Sequence, residues 1–260
     1  IKLNFSAWGM LMRILSAAIA ISLFLLTYPV SAENAIVMYK GDDGWVRYNF
    51  PTSYYWDDFK GEFAEQGRNL EFRKHVDSSV LSNCDALFVI NPGKNIPDDE
   101  ANAIISWVNN GGKLVITQDK YGKYANEITE NFGITFDSTA QFTVNKFISH
   151  PITDGLSVVG TFGTEEGRTV TVSGDAKELG FHNAANCLIA INENAGNGVV
   201  IAIGDEIMWK DGTFDKNSNE QFMDNILSYF SKPSEIPEFN PFTLLLAVTL
   251  LSGFVLYRSR

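Results

Sequence analysis

The stretch ALFVINPGKNIPDDEANAIISWVNNGGKLVIT (86–117) constrains the fold more than any other part of the chain. ALFVI (86–90) is apolar throughout, as a strand covered on both faces of a sheet must be. Pro97 and the acidic run Asp98, Asp99 and Glu100 suit a helix start. Proline lacks the N–H that a first turn leaves unbonded, and carboxylates offset the positive end of the helix dipole. Ala101, Ile104, Ile105 and Val108 follow as a stripe at helical spacing. Asn110-Gly111-Gly112 ends the helix, and KLVIT (113–117) returns to a strand. Strand, helix and strand in this order predict a βαβ unit with parallel strands.

The flanking sequence extends the same pattern. AIVMY (35–39) predicts a strand that ends in the polar turn of residues 40–44. Within SYYWDDFKGEFAEQG (53–67), Tyr55, Phe59 and Phe63 recur at i, i+4 and i+8 and predict a helix that Gly67 closes. LEFRKH (70–75) predicts a strand, and residues 121–131 a helix ending at Gly133. From 140 to 185 the runs become short, polar and punctuated by glycine, as in RTVTVSG and KELGFHN, which suggests small antiparallel strands at one edge of the sheet. CLIAIN and GVVIAIGD, joined by ENAGN, predict a hairpin, and NEQFMDNILSYFS (219–231) a closing helix. The expected fold is α/β: a three-layer, mostly parallel sheet with a small antiparallel edge extension.

Both ends of the 260-residue chain carry address-like segments. MRILSAAIAISLFLLTYPVSA (12–32) has a basic start, an apolar stretch, the helix-breaking Pro29 and small residues before a cleavage point between Ala32 and Glu33. This predicts a signal peptide over residues 1–32, with residues ahead of Met10 or Met12 preceding the start, and an exported domain over 33–231. Residues 232–236 form a linker, and 237–260 a tail. In that tail the apolar run from Phe242 to Tyr257 is short against the roughly 20 residues of a spanning helix. Arg258 and Arg260 follow it. A C-terminal transmembrane helix is expected there, with the membrane as partner and the domain attached to the cell surface.

Charge excludes one class of partner. The formal net charge is -11, so the surface repels a polyanion, and nucleic acid is not expected. The two cysteines, Cys84 and Cys187, are too few for a disulfide scaffold or a cysteine zinc site. They leave open one disulfide or two buried thiols. His75, His150 and His182 are scattered, with no two at metal-ligand spacing, so neither metal nor cofactor is expected.

In a parallel sheet, ligands bind beyond the carboxyl ends of the strands. The turns there hold Asp42, Asn91, Gln118, Asp119, Asp205 and Glu206, a candidate ligand-binding rim for a sugar or a peptide. The carboxylates of Asp119, Asp205 and Glu206 offer a pair for acid–base chemistry, the hydrolase alternative. Trp45, Tyr48, Tyr54, Tyr55 and Trp56 lie close together after the first strand, and exposed rings among them would suit stacking on sugars. WKDGTFDKNSNEQ (209–221) has the flavour of a calcium loop, but it lacks the terminal bidentate glutamate.

Taken in order, a strand ending in N-P-G, D-x-E-x-x-x-I-x-x-W-V-x-N-G-G, a strand, H-P-I-T-D-G, GVVIAIGD and N-x-Q-F-x-x-N-I-L resemble the class I glutamine amidotransferase-like superfamily. That resemblance implies a flavodoxin-like sheet and a strand-turn-helix elbow carrying a nucleophilic cysteine. The corresponding turn, VITQDKYG, holds Gln118 and Asp119 and no cysteine, so a non-catalytic branch is implied. It also places His150 in a turn near the site rim. Pro237-Glu238-Phe239, the apolar run and the terminal arginines resemble the PEF-CTERM sorting signals of archaea. This resemblance implies cleavage by an archaeosortase as sorting partner. The function expected from these readings is an exported, surface-attached domain that binds a surface glycan or protein.

Overall fold

In the computed structural model, the residues described are 56–161 and 166–231, together with the backbone of 35–39. The chain runs through β1 (Ala35–Tyr39), α1 (Asp57–Glu65), β2 (Leu70–Arg73), α2 (Ser78–Leu81) and β3 (Cys84–Val89). The predicted βαβ unit completes with α3 (Asp98–Asn109) and β4 (Lys113–Thr117). After the single-turn α4 (Asn126–Thr129) come β5 (Ile134–Gln141), β6 (Thr143–Val144), β7 (Lys146–Phe147), β8 (Val159–Gly160), β9 (Glu166–Val172) and β10 (Lys177–His182). The hairpin of β11 (Asn186–Ala195) and β12 (Gly198–Ile203) returns to the centre, and α5 (Asn219–Ser231) ends the domain.

Eight strands form one sheet in the order β2-β1-β3-β4-β12-β11-β10-β7. From β2 to β12 the neighbours are parallel, and from β12 to β7 they are antiparallel. β5 with β9, and β6 with β8, make two further antiparallel ribbons. Antiparallel pairings therefore outnumber parallel ones among the described residues, which corrects the expected mostly parallel, flavodoxin-like sheet to a mixed one. Local pattern could not show this, because the partners of the short strands between residues 134 and 182 are chosen by pairing with segments distant in the chain.

Burial follows from the strand period. Phe88 in β3 meets Phe59 and Phe63 of α1 and Trp209, with ring centroids 6.4, 5.6 and 6.0 Å away. Phe59 in turn stacks on Trp209 at 5.1 Å. Leu87 and Val89 point the opposite way by the two-residue period and are equally buried, so both faces of the sheet are covered. Deleting one of these rings should cost about 3–5 kcal/mol.

Three other expectations change. The helix over 121–131 contracts to α4 and a short 3-10 turn, because Gly122 and the following loop are held in an open path by side chains described below. The edge strands of 140–185 divide between the sheet edge and the separate ribbons, and β5 was not foreseen. Cys84 lies at the amino end of β3, whereas Cys187 lies on β11 three strands away, level with the carboxyl ends of the parallel strands. Both are buried free thiols, and the disulfide alternative is excluded. Burial, reinforced by the charge of Glu178, pushes the Cys187 thiol up to about 12.

Among the described residues no helix is long and apolar enough to cross a membrane. Nothing in the structure supports the expected C-terminal transmembrane helix. It falls, with the cleavage point at Ala32 and Glu33 and the motif Pro237-Glu238-Phe239, outside the described residues.

Candidate functional site

The parallel strands reverse direction of progress between β1 and β3, and α/β sheets leave a crevice at such a point. The loops after β3 and β4 meet beside it. Asn91 leaves β3 with a left-handed φ of 47°, a conformation asparagine tolerates better than most residues. Its N–H donates to the backbone oxygen of Thr117 at 3.2 Å and to Thr117 Oγ1 at 2.9 Å, which ties the two strand ends together. Its Oδ1 accepts from Gln118 Nε2 at 3.1 Å and from the Asp119 N–H at 3.2 Å. Gln118 also donates to the Pro92 carbonyl, and its Oε1 accepts the Ala125 N–H at 3.0 Å. Gln118 is fully buried with its amide engaged at both ends, so it positions the loop and is not available to a ligand.

An arginine that sequence reasoning passed over holds the same loop from outside. Arg168, in β9, donates to the carbonyls of Asp119 (3.3 Å), Gly122 (2.9 Å), Lys120 (2.7 Å) and Asp137 (2.8 Å). Its fork geometry suits several fixed carbonyls at once. A lone arginine opening RTVTVSG gives no sequence signal for this, since its partners lie 31 to 49 residues away.

The start of β9 crosses the carboxyl ends of β4 and β12. Gly167 forms a bridge with Asp119, and the Arg168 N–H donates to the Gly204 carbonyl at 2.7 Å. The crossing requires glycine at both contacts. A Cβ on Gly167 would run into the Gly204 carbonyl, and one on Gly204 would run into the Arg168 carbonyl. Gly167 also abuts Asp205, so β9 sits against both Asp119 and Asp205.

Beyond β12, Asp205 and Glu206 are both buried. Asp205 Oδ1 accepts the Ile207 N–H at 2.9 Å. Burial, followed by the charge of Glu206 and a shared hydrogen bond with it, holds the Asp205 carboxyl well above the usual carboxylate range. Lys210 Nζ stands 3.4 Å from Glu206, while Glu206 Oε2 has no hydrogen-bond partner among the described residues.

The remaining candidates separate. Asp42 lies outside the described residues, as do Trp45, Tyr48, Tyr54 and Tyr55, and Trp56 is core. His150 is not at the rim. It caps the short turn Pro151–Thr153 by accepting the Ile152 N–H on Nδ1, which makes Nε2 the protonated nitrogen when the ring is neutral. Nε2 faces Glu193 Oε1 at 3.2 Å, toward the amino end of the parallel strands. Glu193 also accepts from Tyr229 Oη and Lys177 Nζ, each at 2.8 Å. In 209–221, Asn219 bonds Gly160 and Thr213, and Asp211 accepts the Asp58 N–H at 3.0 Å, so the side chains tie the loop to α1 and β8. Among the described residues no cluster of three or more acidic, histidine or cysteine side chains is arranged for a metal.

Among the described residues, a small notch of about 190 Å³ opens at the rim. Residues 91–93 form one wall, and Asp119, Tyr121, Gly122 and Tyr124 form the other. Asp205 and Glu206 do not line it. Asp119 Oδ1 accepts the Tyr121 N–H at 2.8 Å, and the Tyr121 ring is 54% exposed beside Lys120.

Fold and site together define a mixed-sheet α/β domain whose strand-end rim is largely closed by its own chain. Residues 62–227 match a family described as a domain of unknown function, DUF4350, and the chain belongs to that family. This overturns the resemblance to the glutamine amidotransferase-like superfamily. No curated protein matches the chain. Solved structures with a similar fold include an mmIFT52 N-terminal domain, with TM-score 0.64 and 15% identity over 77% of this chain and 99% of that one. A cytoplasmic protein, STM1381, from Salmonella typhimurium LT2 has TM-score 0.55 and 14% identity over 68% of this chain and 88% of its own. A ThuA-like protein from Bacteroides uniformis has TM-score 0.50 and 14% identity over 80% and 97%. At these identities the likeness concerns the fold alone.

Proposed function

We propose that this is a binding domain, exported by its N-terminal segment, which holds a surface glycan or protein at the carboxyl rim and performs no catalysis there. The observation that carries the proposal is the seat of β9 across β4 and β12. It leaves Asp119 on the notch and Asp205 and Glu206 buried away from it. Two carboxylates that act on one bond must face one substrate space, about 5 to 9.5 Å apart across it. Here Asp205 and Glu206 are buried off the notch, and Asp119 is the carboxylate among the residues that line it.

Export rests on the sequence of residues 12–32, whose layout suits signal peptidase. Expression in a cell with an export pathway should yield a mature chain beginning at Glu33, and retention of the leader would count against it. For the site, the full chain should release nothing above background from a panel of aryl glycosides and aryl esters. Turnover that disappears in Asp205→Asn or Asp119→Asn would establish the hydrolase alternative and end the binding proposal.

A further inference from the structure

Two side-chain atoms on the notch walls, one donor and one acceptor, have fixed identities. The Asp119 N–H can only donate, so Asn91 Oδ1 must face it, and Asn91 Nδ2 must point the other way. Neither that Nδ2 nor Asp119 Oδ2 has a hydrogen-bond partner among the described residues. Both side chains line the notch although Asn91 is only 2% and Asp119 5% exposed. Neither atom is enclosed by protein, so each is available to what enters the notch.

The chemistry of that pair selects the ligand. A cation can satisfy the carboxylate but offers no acceptor to the amide. An anion reverses the deficit and meets a carboxylate. A hydroxyl, or two adjacent hydroxyls, accepts from Nδ2 and donates to Oδ2 at once. Beside the pair stands the exposed ring of Tyr121, with Lys120 Nζ over it at 5.3 Å from the centroid. An aromatic face next to a donor–acceptor pair suits a ring with one apolar C–H face and a hydroxyl edge. The volume, about 190 Å³, admits one such ring and no long chain.

We propose that the notch between Asn91, Asp119 and Tyr121 binds one neutral sugar unit, with its hydroxyl edge on Asn91 and Asp119 and its C–H face on Tyr121. This rests on the binding-domain proposal and gives its ligand a chemical class. Asn91 and Asp119 are held ready by the Gln118 and Arg168 contacts, so little ordering is required on binding.

The test is saturation-transfer NMR and titration of the full chain with neutral methyl glycosides of glucose, galactose and mannose. Saturable binding of at least one is expected, with a Kd on the order of 1 mM for a single small unit. Asp119→Asn retains the acceptor for the Tyr121 N–H, so it should fold while weakening that glycoside at least tenfold. Tyr121→Ala, at an exposed position, should weaken it severalfold. Circular dichroism and the melting curve confirm that both variants are folded. No binding of any glycoside by the folded protein overturns the proposal, as does binding that neither variant changes. Capture of N-acetylated dipeptides in an Asp119-dependent way, without glycoside binding, assigns the notch to a peptide amide instead. In each of these outcomes the absence of Asp205-dependent turnover still stands, so failure of the sugar assignment is distinguishable from failure of the binding proposal.

Discussion

At the amino end of the sheet, Glu193 receives Lys177, Tyr229 and His150 on its two oxygens. At the carboxyl end, Asp205 faces Glu206 with a single backbone donor. The two carboxyls move in opposite directions for this reason. The Lys177 bond first, and then those from Tyr229 and His150, outweigh burial and bring Glu193 down to about 2. Burial and a like charge drive Asp205 up. Glu193 is thus a fixed anion that fastens α5 and the His150 turn to β11. Asp205 and Glu206 are both buried and lie off the notch. Depth and partner chemistry act together here, since Glu193 is half-buried among donors and Asp205 is buried beside a like charge.

The contrast breaks most severely if the rim loses its cover. Gly204→Val should place side-chain atoms against the Arg168 carbonyl and unseat β9, costing about 3 kcal/mol or more in chemical denaturation and opening the rim. A loss below 1 kcal/mol would mean that β9 shifts without strain.

Next in size is Glu193→Gln, expected to cost about 2 kcal/mol at neutral pH. The sign of its pH dependence follows from a folded value below the unfolded one. The stabilisation is present above about pH 4.5 and is lost as pH falls toward about 2. Part of it is screened, since the Lys177 ammonium is in solvent. Denaturation midpoints measured from pH 7 down to pH 2 should therefore slope in the wild type and flatten in the variant.

Asp205→Asn should do the reverse. Its folded value is raised, so its contribution is fully present below the unfolded value and is lost as pH rises through the folded one. The amide keeps an acceptor for the Ile207 N–H and removes the acid. A gain of about 1 kcal/mol at neutral pH is expected, disappearing in acid. Destabilisation at all pH values would show that the carboxyl proton is needed as a donor.

Tyr229→Phe, which deletes one of three donors to Glu193, should cost about 1 kcal/mol. The smallest stability effect belongs to Lys177→Ala, whose melting curve should overlay the wild type in high salt. In the same native protein, Cys84 and Cys187 should resist thiol reagents at neutral pH and both react after denaturation. Rapid native labelling would contradict their burial.

Much of the local structure was legible. The stripe Ala101, Ile104, Ile105 and Val108 lies on α3, and KLVIT coincides with β4. The CLIAIN and GVVIAIGD runs form the β11–β12 hairpin. Asn91, Gln118 and Asp119 were placed correctly at strand ends, but their division of labour was not visible. Gln118 turned out to be wholly structural, and Asn91 and Asp119 each keep one free atom. His150 was assigned to the rim and lies at the other end of the sheet. A His-Pro turn shows its local geometry in sequence, whereas its position depends on Glu193, 43 residues later.

The physical division runs along sequence separation. Apolar period, caps and turn residues act over a few positions, and they determined where α3, β3, β4, the β11–β12 hairpin and α5 form. Whether a carboxyl is an anion, a shared acid or an open contact depends on groups that approach from 30 or more residues away, such as Arg168 on the loop of Asp119. Only tertiary structure brought β9 across β4 and β12, set antiparallel strands and two separate ribbons beside the parallel ones and left a notch at the rim. Those outcomes depend on non-local hydrogen bonds and on close backbone approach at Gly167 and Gly204, which leave no periodic trace in the chain.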